Sequence, residues 1–179
     1  MSSLSSSKAR SNGALFEQLI NAGCRYYIKK GFAVIHKTPE PMHPIQPMGN
    51  GRFLAAYDKK AQPDYQGTLR GGRSIVFEAK HSDGKEMEQG RITTAQWADL
   101  DGHQAMGALC YVLVSFGFQI FSMIPWSIWK DMKNQVGRIH LKPTDELVKS
   151  YQVKAAGGGI LFLDYCWLQM GYIGEGKKQ

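Results

Sequence analysis

Between Pro39 and Pro47 the chain places four of its seven prolines in the string PEPMHPIQP (Pro39, Pro41, Pro44 and Pro47). Each ring fixes φ, removes a backbone donor and pushes the preceding residue toward extended backbone. No packed helix can run through such a stretch. The Gly-Asn-Gly-Arg that follows, Gly49 to Arg52, and the polar Asp58-Lys59-Lys60 add nothing that could be buried. The segment from Thr38 to Gln62 is therefore expected as a projecting arm or long loop, and loops of that length tend to be functional.

The flanking segments have regular periodicity. Leu15, Phe16, Leu19, Ile20, Gly23, Tyr26 and Tyr27 recur at helical spacing, which predicts a helix from Asn12 to about Lys30, capped by Ser11 or Asn12. Phe32 to Lys37 reads as a strand. Asp64 to Leu69, a turn at Arg70-Gly71-Gly72, and Ser74 to Lys80 read as a hairpin. After the charged loop HSDGKEMEQGR, Thr93 or Thr94 caps a helix to about Ala108. Leu109 to Phe116 is a buried strand, Gln119 to Ile124 another, and short helices are expected from Pro125 to Lys133 and from Thr144 to Ser150. The stretch AAGGGILFLDY holds a loop and a last short strand. This order describes an α/β domain with a central mixed β-sheet flanked by helices. Residues 12–170 are expected to form a single domain with the arm inserted at about 39–62, between a flexible basic arm at 1–11 and a flexible tail at 171–179.

At 179 residues with 43% hydrophobic content, the chain can bury an ordinary core. A net charge of +7 points to a polyanionic partner, nucleic acid before membrane, since no amphipathic basic helix or lipidation signal accompanies it. Lys8 and Arg10 could touch phosphate. Cys24, Cys110 and Cys166 are odd in number and embedded in apolar stretches, so they read as reduced core residues, and no Cys/His cluster has zinc spacing. No run is long enough to span a bilayer and no export signal is visible, which predicts a reducing cytoplasm.

The chemistry gathers at Pro63-Asp64 and, fourteen residues after that aspartate, Glu78-Ala79-Lys80. Alternation along the second hairpin strand puts Ser74, Val76, Glu78 and Lys80 on one face and Ile75, Phe77 and Ala79 on the other. Register could set Asp64 across from Glu78, where two carboxylates repel unless a cation joins them. That arrangement asks for Mg²⁺ or Mn²⁺, with a bound water of lowered pKa near Lys80 as nucleophile on a phosphodiester. The plainer alternative is a turn aspartate beside a solvated strand-end pair.

Several stretches, in order, resemble the RecU family of Holliday junction resolvases, a branch of the restriction-endonuclease-like fold. Gly13 followed by Glu17 matches its first-helix signature, and Ala33 to Lys37 with Pro39 its A-V-I-H-K strand. Asp64-Tyr65-Gln66-Gly67 matches D-Y-x-G, Phe77-Glu78-Ala79-Lys80 matches F-E-A-K, and Thr94-Ala95-Gln96-Trp97 approximates a helix written HQ. Departures are Ala95 for His, a longer turn before Arg73, and Gln62 where relatives often carry Thr. The resemblance implies Asp64 and Glu78 as metal ligands, Lys80 as transition-state stabiliser, Gln96 as a metal- or water-positioning group, and Glu17 as completing the acidic cluster. It also implies a stalk made by the proline arm, where Arg52, Lys59 and Lys60 would contact phosphate and Phe53 or Tyr57 would stack on a base. Arg70 and Arg73 are further DNA-binding candidates. The implied assembly is a homodimer acting on four-way junctions near the nucleoid, with recombination proteins as further partners. A restriction-like or nicking nuclease on duplex DNA, or a non-catalytic recombination regulator of the same fold, remain alternatives. Gly157-Gly158-Gly159 reads as a turn, His81 as an exposed loop residue, and Trp126 and Trp129 as core.

Overall fold

The computed structural model describes residues 2–57, 62–84 and 86–164. Helix α1 (Ser2–Lys30) buries Phe16, Ile20, Cys24 and Tyr27 along one stripe, as their spacing requires, and stops at Gly31, whose φ is +64°. It begins ten residues earlier than the periodicity indicates. Residues 2–11, expected as a mobile arm, are helical: Asn12 Nδ2 donates to both carboxylate oxygens of Asp83 at 2.8 and 2.7 Å, and Lys8 Nζ lies 3.6 Å from the same group. Extending a helix that packing has already nucleated is cheap even through serines.

The main sheet has seven strands. Chain order supplies β1 (Ala33–Lys37), the separate ribbon β2 (Met42–Gly49) and β3 (Arg52–Tyr57), then β4 (Tyr65–Leu69) and β5 (Ser74–Ser82). After a short strand β6 (Met87–Glu88) and a single 3₁₀ turn at Gln89–Arg91 come α2 (Thr94–Ala105), β7 (Leu109–Phe116) and β8 (Ile120–Pro125). The rest is α3 (Trp126–Lys130), α4 (Met132–Val136), β9 (His140–Leu141), α5 (Glu146–Ser150), β10 (Gln152–Ala156) and β11 (Gly159–Leu161). Spatial order is β1-β4-β5-β7-β8-β10-β11, with β6 and β9 paired apart. β5 and β7 are parallel, joined by the α2 crossover, and the other neighbours in this sheet are antiparallel, so the sheet is mixed as expected.

Alternation along β5 and β7 divides the core. Ile75, Phe77, Tyr111 and Leu113 pack with α1, and Val76, Val112 and Val114 pack with Leu100 of α2, Trp126 and Trp129 of α3 and Val148 of α5. Both tryptophans are core residues, and Cys24 and Cys110 are buried free thiols. Cys166 lies outside the described residues. Gly67 faces Ile35 across the β1–β4 ladder, where a Cβ would stand 2.1 Å from the carbonyl oxygen of Val34, so no other residue fits there without moving β1.

The proline segment is more regular than a loop. β2 and β3 form an antiparallel ribbon whose turn, Asn50-Gly51, has φ of 50° and 72° at its two residues, the two-residue hairpin signature. Register shifts fall between Pro44 and Gln46 and between Pro47 and Gly49, and bulges of this kind tolerate residues that cannot donate to a ladder. Every residue of β2 is exposed, and Met42, Ile45, Met48, Phe53 and Leu54 present apolar side chains to solvent. Smaller differences occur downstream: the helix expected from Pro125 to Lys133 is broken into α3 and α4 at Asp131, and β6, β9 and β10 are additional strands.

Candidate active site

The register of the β4–β5 hairpin sets Tyr65 opposite Phe77, so the next position outward sets Asp64 opposite Glu78. Asp64 follows buried Pro63, and its Oδ2 accepts the backbone N–H of Ala79 at 2.9 Å, which ties the carboxylate to the end of β5. Glu78 is fully buried. Its Oε2 accepts from Lys80 Nζ at 3.0 Å and from Gln96 Nε2 at 2.8 Å. Its Oε1 is buried with no hydrogen-bond partner. Burial, then the charge of Asp64, hold the Glu78 carboxyl well above the usual carboxylate range, with Lys80 pulling the other way.

An orphaned carboxylate oxygen beside a second carboxylate is costly unless something positive joins them. Hard divalent cations prefer oxygen ligands, so the donor set fits such an ion. Among the described residues no group of three or more His, Cys, Asp or Glu side chains gathers at metal-binding distance. A two-carboxylate site would leave the remaining positions to an amide, a backbone carbonyl or waters, as Mg²⁺ commonly does.

Gln96 arrives from α2. Its backbone N–H donates to Thr93 Oγ1 while its Oε1 accepts from the Thr93 backbone, so the same side chain closes a capping box and reaches the buried glutamate. Ala95, in place of the family's His, is exposed and leaves the Gln96 contact intact. Glu17 lies deep within α1, far from any first-turn dipole, and its Oε2 accepts from Lys37 Nζ at 2.6 Å. Glu17, Asp64, Lys80 and Arg91 line one open cleft of 490 Å³, floored by Phe16 and Ala79.

The DNA-contact candidates are more scattered. Lys8 is exposed and paired with Asp83, which lines the cleft, and Arg10 is exposed one turn before Gly13. Arg52 is exposed at the ribbon turn, and Lys59 and Lys60 lie outside the described residues. Arg70 and Arg73 flank the β4–β5 turn, at the far end of the hairpin from Asp64. Arg70 Nε donates to the Gly31 carbonyl at 2.8 Å with the guanidinium over Phe32, which gives it a role in closing the C-terminus of α1. Its place in the DNA-binding set was read from charge alone, and charge does not show a carbonyl contact.

Three features escaped sequence reading. Lys37 faces Glu17 because β1 ends opposite Tyr65, a consequence of register. His81 is not an exposed loop residue: β5 continues through it, its side chain is only 8% exposed, and it bonds Ser115 Oγ at 3.0 Å and Asp83 at 2.8 Å while stacked on Phe118. Arg91 carried no motif.

Residues 11–166 match the family model described as Recombination protein U. The chain is 28% identical over 159 residues to the Holliday junction resolvase RecU of Streptococcus gordonii, covering 86% of this chain and 70% of the relative. It is 26% identical to the RecU resolvase of Streptococcus sanguinis over 81% of this chain and 66% of that protein. It is 33% identical to the one from Streptococcus pneumoniae Hungary19A-6 over 65% of this chain and 62% of that protein. The chain thus spans about two thirds of the length of these relatives. Among solved structures, the Archaeoglobus fulgidus resolvase Hjc superposes with a TM-score of 0.42 at 13% identity, over 80% of this chain and 91% of that one. The family match extends from the first helix to the last described strand and takes in Glu17, Asp64, Glu78, Lys80 and Gln96, so this chain belongs to the RecU family.

Proposed function

We propose that the protein is a divalent-metal-dependent endonuclease that cuts four-way DNA junctions, with Asp64 and Glu78 holding Mg²⁺ or Mn²⁺ and Gln96, whose Oε1 is taken up by Thr93, positioning Glu78. The observation that carries this reading is the unpartnered, buried Oε1 of Glu78 opposite Asp64, with Lys80 and Gln96 fixed on the other oxygen. It is supported by the names of the relatives, which are Holliday junction resolvases.

A bound cation would lower the pKa of a ligated water and polarise the phosphate. The protein's own groups do the rest. The Ala79 N–H orients Asp64, and Lys80 and Gln96 turn Glu78 so that Oε1 stays available as a ligand. The Lys80 side chain, 15% exposed, reaches the cleft, where its ammonium donates to the phosphate oxygen on which charge develops. Glu17, neutralised by Lys37, closes the α1 side of the cleft without adding net charge.

The basic surface suits DNA, and a homodimer would bring two such clefts to opposed strands of one junction. The β2–β3 ribbon is proposed as the stalk that enters the branch point, with exposed Phe53 available to stack on a base. Among the described residues no helix is long and apolar enough to cross a membrane. Action on recombination intermediates would place the protein in the cytoplasm with the nucleoid and near recombination proteins. The test is cleavage of a synthetic four-way junction and a matched linear duplex, with and without Mg²⁺ or Mn²⁺. Junction cutting only with metal is expected; equal cutting of the duplex would favour a nicking enzyme, and no cutting with either ion would favour a non-catalytic regulator.

A further inference from the structure

Two side chains with a fixed positive charge, Lys80 and Arg91, line the cleft, and Lys37 reaches its wall through Glu17; they are not equivalent. Lys37 is paired with Glu17 at 2.6 Å and Lys80 with Glu78 at 3.0 Å. Arg91, which ends the 3₁₀ turn before α2, also lines the cleft but has no carboxylate within ion-pair distance among the described residues. It is nonetheless held in place. Its Nη1 donates to the carbonyl oxygen of His81 at 2.6 Å and lies 3.7 Å from Sδ of Met87, a fully buried residue. Both contacts use the same nitrogen, so Nη2 and Nε keep their N–H groups. The carbonyl it grips belongs to His81, the residue after Lys80, and Arg91 and Lys80 line the same cleft.

An arginine tethered by one nitrogen at such a cleft, with no carboxylate within ion-pair distance among the described residues, has the chemistry of a phosphate clamp. We propose that Arg91 binds a backbone phosphate of the strand being cut, next to the phosphate addressed by Lys80. This assignment rests on the nuclease reading above. Lys80 then acts on charge that develops at the reacting phosphate, while Arg91 holds the neighbouring one and sets the strand's position along the cleft. His81, buried against Phe118 and bonded on both ring nitrogens, supplies the rigid backbone to which the clamp is attached.

The test is affinity of the full-length protein for a synthetic four-way junction in EDTA, measured against salt for wild type, Arg91→Ala, Arg91→Gln and Arg91→Lys. Gln removes the charge but keeps a polar side chain, and Lys restores the charge without the planar fork, so the series separates charge from fork geometry. Arg91→Ala and Arg91→Gln should both weaken binding about tenfold, the scale of losing a charged hydrogen bond. Both should also reduce the slope of log affinity against log salt by about 0.9, one phosphate's worth. Arg91→Lys should recover the slope but not the full affinity. A junction carrying a single neutral methylphosphonate next to the scissile position should bind wild type more weakly yet bind Arg91→Gln no worse than the unmodified junction does. Wild type with a steep slope that Arg91→Gln leaves unchanged would overturn the clamp alone. A wild type that shows neither junction binding nor metal-dependent cutting would overturn the nuclease reading with it.

Discussion

Gln96 donates from Nε2 to the buried Oε2 of Glu78 at 2.8 Å while its Oε1 accepts from the Thr93 backbone at 3.1 Å. One amide therefore fixes the start of α2 and the orientation of the buried Glu78 carboxylate from β5, the proposed metal ligand. The two roles can be separated. Thr93→Ala should cost about 1 kcal/mol of stability through the lost cap and leave most activity. Gln96→Ala should lose a similar amount of stability and, in addition, at least about tenfold in turnover, as Glu78 loses an orienting donor. Thermal melts and single-turnover cleavage on both variants check this; equal turnover losses would mean that Gln96 acts only as a cap.

Asp64→Asn and Glu78→Gln should reduce metal-dependent cleavage by at least about a thousandfold, as the charge that holds the ion is removed, with junction binding nearly unchanged. Cutting retained by both variants would sink the proposed site.

Glu78 also predicts a pH effect in metal-free protein. Its carboxyl is raised by burial first and by Asp64 second. The folded state therefore binds this proton more tightly than the unfolded chain, so the contribution is fully present below the ordinary glutamate range. It is lost as pH rises from there through the raised value. In EDTA the melting temperature of wild type should fall over that window more than that of Glu78→Gln. Parallel curves for the two proteins would contradict the assignment.

Lys80→Ala should abolish turnover by at least about a hundredfold and still bind metal, because its proposed work is charge stabilisation at the phosphate. Metal titration followed by thermal shift, alongside cleavage, separates the two effects. A normal turnover number would remove Lys80 from the mechanism.

The β2–β3 ribbon forms a sheet of its own and contributes no residue to either core cluster. Replacing residues 42–57 by a short Gly/Ser linker should leave the melting temperature within about 2–4 °C. Preference for a junction over linear duplex should fall, with metal-dependent nicking of duplex retained. Side-by-side binding to both DNAs measures it, and an unchanged preference would assign branch recognition to the spacing of two sites across a dimer.

The β4–β5 hairpin was readable in advance because strand alternation has a fixed period of two. Glu78 and Lys80 had to share a face, and an antiparallel partner starting at Asp64 could place its carboxylate opposite. The α1 stripe from Phe16 to Tyr27 was readable for the same kind of reason. The segment expected as a projecting arm or long loop is a paired ribbon, and Asn50-Gly51 is its strong hairpin signal. Prolines argue against a ladder, and only the bulges beside Pro44 and Pro47 remove the conflict. The helical start at Ser2 was missed because serines are indifferent helix formers, and the partner of Asn12, Asp83, lies 71 residues away.

By itself, then, the sequence determined the identity of the acidic pair, the face they share with Lys80, and the family, since these depend on local backbone period and on short strings in order. Only the tertiary structure decided that Glu78 is wholly buried with one oxygen unpartnered, that Gln96 reaches it, that Lys37 neutralises Glu17, and that Arg91 has no carboxylate within ion-pair distance among the described residues. Burial and charge pairing are properties of what packs nearby. The α1–β1 unit, β5 and α2 lie apart in the chain and come together only when the sheet closes its core.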